Sequence, residues 1–283
     1  MIIALAGYTG FIGSHIKDYF SEEEFILLER EDLAGQTDKL ADKIKGADVV
    51  INSVGYPVSK RWNRKNRNLM HQSRIDVTQK LVQAINILKN KPDYYVHMSA
   101  IGIYAYDKEH SEIVYTYGDD FLAGVVREWE DTVDDLHPIT RVIKVRSGMV
   151  LGRNGGVFVR LKRIFKLGLG GVIGSGKQVY SFIHMEDLLA ALKFLMDKNE
   201  EGVFNFTAPN PVTNKQFTKA LAASLNRPAI FRVPAILLRL WMGKGAVIAT
   251  RGQTVYPKKL LDAGYKFTFA TIDKALVNLV NRS

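Results

Sequence analysis

The chain has 283 residues, 47% hydrophobic and 24% charged, a globular composition that excludes wholesale disorder. It contains no cysteine, so it carries no disulfide, thiolate nucleophile, iron–sulfur cluster or zinc knuckle. Lys and Arg number 39 against 29 Asp and Glu, and the net charge of +10 favours anionic partners without choosing among nucleic acid, phosphorylated small molecules and membrane surface.

The opening residues, 1–16, mimic a signal peptide, with Ala4-Leu5-Ala6 posing as a cleavage site. No basic stretch precedes them and glycines interrupt the run. The apolar stretch from Val233 to Met242 contains Arg239 and is too short to span a bilayer. The expectation is a cytoplasmic protein with no membrane partner.

Ile2 to Ala6, Phe25 to Leu28, Asp48 to Ile51, Tyr94 to Met98 and Ile139 to Val145 read as strands, being short, apolar and rich in Val, Ile and aromatics. Helical patterns lie between them, from Gly10 to Tyr19, Asn66 to Leu88 and Asp120 to Leu136. This alternation predicts an α/β fold, a Rossmann-like doubly wound parallel sheet over residues 1–150. Past Val150 come a basic helix from Val157 to Leu167, a glycine-rich loop, a strand from Val179 to His184, a helix from Glu186 to Met196 and a strand from Val203 to Phe206. Helices at Thr213 to Leu225, Pro234 to Trp241 and Ile272 to Val280 complete a smaller C-terminal substrate lobe, 151–283, interleaved with the first.

Gly7-Tyr8-Thr9-Gly10-Phe11-Ile12-Gly13 follows the first strand directly and opens a helix. A phosphate there meets unpaired backbone N–H groups and the positive end of a helix dipole. The spacing is GxxGxxG and not GxGxxG. The second strand ends on Glu29 and Arg30. Glu29 would accept from a free ribose 2′-hydroxyl and favour NAD, whereas Arg30 would pair with a 2′-phosphate and favour NADP. The positive charge tips the reading to NADP, with NAD open.

The chain resembles an atypical extended short-chain dehydrogenase/reductase of the epimerase family, whose members are often described as sugar-nucleotide epimerases. Beside the glycine turn, the resemblance rests on Ile51-Asn52-Ser53-Val54-Gly55, Arg61-Trp62, Ser73-Arg74, the run from Gly118 to Ala123 and Arg146-Ser147-Gly148-Met149-Val150-Leu151-Gly152-Arg153. The glycines of 168–176, Ile183-His184, Asp187-Leu188 and Pro257 to Leu261 extend it over nearly the whole chain. It implies that Arg30 reads the adenosine phosphate, that Asn52, Ser53, Val54 and Gly55 line the dinucleotide, and that Arg74 lies within its reach. It also implies that Ser147 and Gly148 pass near the nicotinamide, and that Ser99 stands where the family has a catalytic serine or threonine.

Ordinary members move a proton through a Tyr-x-x-x-Lys pair on one helical face while hydride moves to or from nicotinamide. Here that helix begins Phe121-Leu122-Ala123-Gly124-Val125, and both functional groups are absent. The same spacing from Tyr56 to Lys60 contains Pro57 and cannot be a helix interior. Tyr104 to Lys108 follows Ser99 and makes Tyr104 a candidate substitute acid, with Asp120 or a water chain as alternatives.

Gly171 to Lys177 nearly spells a Walker loop, but Gln178 stands where Ser or Thr would hold Mg²⁺ and a strand follows. Arg153 and Lys177 are the expected substrate contacts, able to hold a diphosphate. The scattered histidines signal no metal site, and His184 and Asp187 read as structural. The expected function is that of an NADP(H)-binding oxidoreductase or sugar-nucleotide epimerase, on a small substrate such as a nucleotide-linked sugar. The alternative is a non-catalytic nucleotide-dependent sensor. No base-reading module suggests a nucleic-acid partner, and a homodimer is left open.

Overall fold

A computed structural model describes residues 1–281. The apolar run Ile2–Ala6 forms β1, followed by α1 (Phe11–Tyr19), β2 (Glu24–Leu28), the short helices α2 (Arg30–Ala34) and α3 (Thr37–Ile44), β3 (Val49–Asn52), the long α4 (Arg64–Ile87) and β4 (Tyr94–His97). A 3-10 turn at Ile101–Ile103 and β5 (Glu109–His110) lead into α5 (Phe121–Asp131), β6 (Arg141–Ser147) and β7 (Met149–Leu151). Next come α6 (Gly156–Lys166), β8 (Gly171–Ile173), β9 (Val179–Tyr180), β10 (Phe182–His184), α7 (Met185–Asp197), β11 (Gly202–Phe206), β12 (Val212–Thr213) and α8 (Asn214–Ser224). The last stretch holds β13 (Phe231–Val233), α9 (Ala235–Met242), a 3-10 turn at Gly243–Ala246, α10 (Val247–Thr250), β14 (Thr254–Val255), α11 (Lys258–Asp262) and α12 (Ile272–Asn281).

Six strands pair in parallel in the order β11-β6-β4-β3-β1-β2. Every residue of β3 and β4 is buried, as a sheet covered on both faces requires. Ile3 and Leu5 join one core with Ile16 of α1 and Leu188, Leu192 and Leu195 of α7. Ala4 and Ala6 point the other way, into Leu40 and Ile44 of α3 and Leu81, Val82 and Ile85 of α4. This is the Rossmann-like doubly wound sheet that the alternation predicts. A separate apolar cluster joins Phe158 and Phe165 of α6 to Phe217 and Leu221 of α8 and Leu276 of α12.

Three features depart from the sequence pattern. The connection between β2 and β3 contains α2 and α3, whose buried positions are limited to Leu40, Ala41 and Ile44 among charged neighbours. The strand expected from Val179 to His184 breaks at Ser181, whose hydroxyl donates to Gln253 O and accepts from Val255 N at 2.8 and 2.9 Å. Its halves serve different partners, β9 with β12 and β10 with β7. Finally β11, expected in the second lobe, pairs with β6 at the edge of the main sheet, and α7 packs into the core of that sheet.

His97 closes β4 fully buried, between the rings of Tyr95 and Trp129, and neither ring nitrogen has a hydrogen-bond partner among the described residues. Burial, with the nearby Lys144 and Arg74 charges, lowers its pKa to about 3. In the unfolded chain the imidazole titrates near its ordinary 6.5. Between these values the unfolded state binds a proton that the native state refuses, so stability falls as pH drops below 6.5, by up to about 1.4 kcal/mol per pH unit. Urea unfolding of His97→Phe should therefore show a shallower loss of stability between pH 6.5 and 5 than the parent chain. Equal slopes would show that His97 does not carry the effect.

Candidate functional site

The sheet order reverses between β1 and β3, and in an open α/β sheet ligands bind in the crevice at such a point. The glycine turn leaves β1 on one side of it and Asn52 to Gly55 leave β3 on the other. Gly7 adopts φ +83°, and its carbonyl accepts from Gly10 N at 2.9 Å. A Cβ on Gly13 would sit 2.2 Å from that same carbonyl, so the turn closes only on glycine. Thr9 and Gly10 are exposed, Ile12 is half-buried, and the first turn of α1 has neither an acidic residue nor a side-chain cap. Its amides and dipole are free to face an anion, which fits a dinucleotide pyrophosphate. Phe11 leans the other way, its ring filling the space beside Gly152, Gly155 and Gly156.

The third-strand loop is held from within. Asn52 is fully buried, donating to Thr78 Oγ1 and Tyr95 OH and accepting from Val54 N. The Ser53 hydroxyl donates to Ala6 O at 2.8 Å, tying β3 to β1. Gly55 abuts Arg74, whose guanidinium donates to the carbonyls of Tyr56 and Met70 and lies over Trp129. Burial without a carboxylate partner lowers Arg74 to about 10. Ser147 and Gly148 are likewise anchored, Ser147 Oγ to Ser99 O and Gly148 N to Phe206 O, both at 3.0 Å.

At the end of β2 the two candidate ribose readers separate. The Tyr8 hydroxyl donates to Glu29 Oε1 at 2.5 Å, and Glu29 N donates to Asp32, capping α2. Arg30 opens α2, exposed and in no ion pair among the described residues.

Ser99 and Tyr104 prove to be members of one buried network. Ser99 Oγ donates to Glu130 Oε1 at 2.5 Å, and Arg146 grips the same carboxylate through Nε and Nη2 at 2.9 and 2.6 Å. Arg146 Nη1 donates to the Tyr104 hydroxyl, which donates to Asn205 Oδ1 at 2.7 Å. Asn205 N in turn donates to Glu112. Burial pulls the Arg146 guanidinium down, but the hydrogen bonds and charge of Glu130 outweigh it and leave Arg146 raised. Burial pushes Tyr104 up to about 12, against the pull of Arg146. Tyr104 is fully buried and stacked on His110. Asp120 accepts from Leu122 N and Ala123 N as the cap of α5. Ser99 and Tyr104 are thus occupied inside the protein, whereas Asp120, half-buried, spends only Oδ1 on the cap.

The open space lies elsewhere. A cleft of about 560 Å³ is bounded by Ser175, Gln178, Arg239, Lys244, Thr250 and Arg251, with no acidic residue on its wall. A hollow of about 320 Å³ adjoins it, with Trp62, Arg67, Asp120 and Phe121, and shares Lys244 and Val247. Phe121, at the start of α5, lies beneath the Arg67 guanidinium at 4.1 Å. Arg153 and Lys177, the expected substrate contacts, line neither space. Arg153 donates to Asn278 Oδ1 and approaches Glu186, and Lys177 is exposed on the glycine loop. Arg239 was signalled only as the lone charge in an apolar helix, and Lys244 and Arg251 by nothing local.

His184 caps α7 by accepting from Glu186 N, and the Asp187 carboxylate accepts from Tyr265, Thr268 N and Phe269 N. Both fit structural roles. No cluster able to hold a metal ion occurs among the described residues, and no helix among them is long and apolar enough to cross a membrane.

Residues 3–119 match the NAD dependent epimerase/dehydratase family, and residues 233–279 match a domain of unknown function, DUF1731. The epimerase family protein SDR39U1 of Mus musculus is 34% identical over 292 residues, covering 99% of this chain and 100% of that protein. Human epimerase family protein SDR39U1, solved with NADPH, superposes with a TM-score of 0.93 at 31% identity over the full length of both chains. UDP-glucuronic acid 4-epimerase from Bacillus cereus, solved with NAD, shares the fold alone, with a TM-score of 0.79 at 17% identity over 100% of this chain and 99% of that one.

Truncating Glu130 to Ala leaves the buried Arg146 without its counter-ion and should cost roughly 3–5 kcal/mol in urea unfolding. A loss below about 1 kcal/mol, the range of an exposed pair, would mean that water reaches the site.

Proposed function

The chain belongs to the epimerase family of NAD dependent epimerases and dehydratases, and on that footing we propose that it binds NADP(H) across the crevice between β1 and β3. The observation that carries this reading is the glycine turn, whose closed geometry and uncapped helix start suit a pyrophosphate. Arg30 supports NADP over NAD, because it is the unpaired charge at the end of β2 while Tyr8 holds Glu29. Asn52 and Ser53 act by shaping their loop, leaving Val54 and Gly55 to approach the dinucleotide. Arg74 offers a charge beside it, and Ser147 with Gly148 forms the floor near Ser99. In this reading residues 1–150 hold the cofactor and 151–283 the substrate, although α7 and β11 of the second half cross over to pack on the main sheet.

When bound, the nicotinamide supplies or accepts hydride. The basic walls of the cleft favour an anionic small molecule, a class that includes nucleotide-linked sugars. Arg239 and Lys244 would orient it, in place of Arg153 and Lys177, while Arg251 is held by Asp107 through Nε and Nη2 at 2.9 and 2.7 Å. Ser99 and Tyr104 act as positioning residues, since each hydroxyl donates to a buried acceptor. A reductase or epimerase built this way would take its proton from the ligand, from water in the cleft or through Asp120 at the edge of the smaller hollow. The occupied network equally favours the sensor reading, in which the cofactor binds and no turnover follows.

Calorimetry should find NADPH bound more tightly than NADH, with Arg30→Ala losing about tenfold or more for NADPH alone, as a charge-assisted phosphate contact is worth roughly 1.5–3 kcal/mol. Equal loss for both nucleotides would remove Arg30 as the phosphate reader, and no binding of either would end the proposal. A screen of carbonyl compounds and sugar nucleotides by reduced-nicotinamide absorbance separates enzyme from sensor.

Gly13→Val should abolish binding of both nucleotides in the same calorimetry, because the added Cβ displaces the turn. Retained affinity would show that the turn does not hold the pyrophosphate.

A further inference from the structure

Helix α9 faces the wrong way for a soluble protein. Ala235 and Arg239 line the cleft and Met242 is buried, whereas Ile236, Leu237, Leu240 and Trp241 stand 57, 54, 66 and 67% exposed. A surface helix normally turns its apolar stripe inward and its charge outward. Ile230 and Phe231, also exposed, lie just before it at the mouth of the β8/β13 pair. Scattered exposed apolar residues need no explanation, but four on one two-turn helix do.

Charge is concentrated in the same half of the chain. From Leu136 to Met185 there are nine Lys and Arg and no Asp or Glu, and from Gly202 to Leu261 there are again nine and none. Together these runs carry +18, more than the +10 of the whole chain. Arg227 and Arg232 flank the exposed apolar group, themselves exposed and in no ion pair among the described residues.

We propose that the outward face of α9 seats on an anionic lipid surface. Apolar side chains enter the headgroup boundary while the surrounding cations meet lipid phosphates, and the two attractions add. Five of the eighteen cations in these runs are paired with carboxylates from elsewhere in the chain, Lys144, Arg146, Arg153, Arg251 and Lys258. Arg227 and Arg232 beside α9 are not, among the described residues, and a second copy of this chain is a poorer occupant because it would set these unpaired cations against their own kind. Nucleic acid would use the cations but give Leu237, Leu240 and Trp241 nothing to enter. The expectation of no membrane partner came from the length of the apolar run, which excludes spanning a bilayer but not lying on one. The four exposed apolar side chains of α9 point to the second case, with the exposed Arg239 at the edge of the cleft.

Trp241 provides its own reporter, since Trp62 and Trp129 are buried. The full chain should co-sediment with vesicles of phosphatidylcholine mixed with phosphatidylglycerol and not with phosphatidylcholine alone, and should release in high salt. Its tryptophan emission should shift to the blue on binding, and Trp241→Phe should bind while losing that shift. The exposed double substitution Leu237→Glu with Leu240→Glu should weaken partition by about tenfold or more with an unchanged circular dichroism melt. Absence of binding to the mixed vesicles, or binding undiminished in the double variant, would overturn the proposal. So would a lipid-free dimer that the double variant dissociates, which would assign the face to a second copy.

Discussion

The ion pair between Arg146 and Glu130 joins β6 to α5 inside the protein, and what surrounds it is fixed by the need to satisfy it. A buried pair survives only when its remaining lone pairs and protons are bonded as well. Glu130 recruits the Ser99 hydroxyl and Arg146 recruits the Tyr104 hydroxyl, which spends its own proton on Asn205 of β11. The end of β4, the turn after it, α5, β6 and the edge strand are thereby locked to one another. The Ser99 and Tyr104 hydroxyls are thus committed to holding the fold together, and the open space lies in the lysine- and arginine-lined cleft.

Much of the fold was legible because a parallel sheet needs strands that are apolar throughout, and Ile2–Ala6 and Val49–Asn52 are unmistakable in that respect. The glycine turn was equally open, since its chemistry is local. Helices α2 and α3 were not, because three buried side chains in α3 give too faint a period among Asp and Lys. The break at Ser181 depends on Gln253 and Val255, more than 70 residues away, and no window along the chain contains that information.

The site divided in the same manner. Position along the chain brought Ser99 and Tyr104 to attention, but their burial is set by Glu130, Arg146 and Asn205, which arrive from three different elements. Arg153 and Lys177 were singled out as cations near a glycine loop. Their distance from the cleft follows from α12 holding one and solvent taking the other. Asp120 shows the same limit, since a carboxylate one residue before a helix caps it unless something stronger claims it.

The packing of Phe11 has a mechanical corollary. Its ring projects from the first turn of α1 and rests on Gly152, Gly155 and Gly156, the last of which begins α6. Glycines have no side-chain torsions, so the contact runs from ring to main chain with no rotamer on that side to absorb displacement. Phe11 therefore works as a pawl between the two helices: a tilt of α1 is passed on to α6 as a shift of backbone.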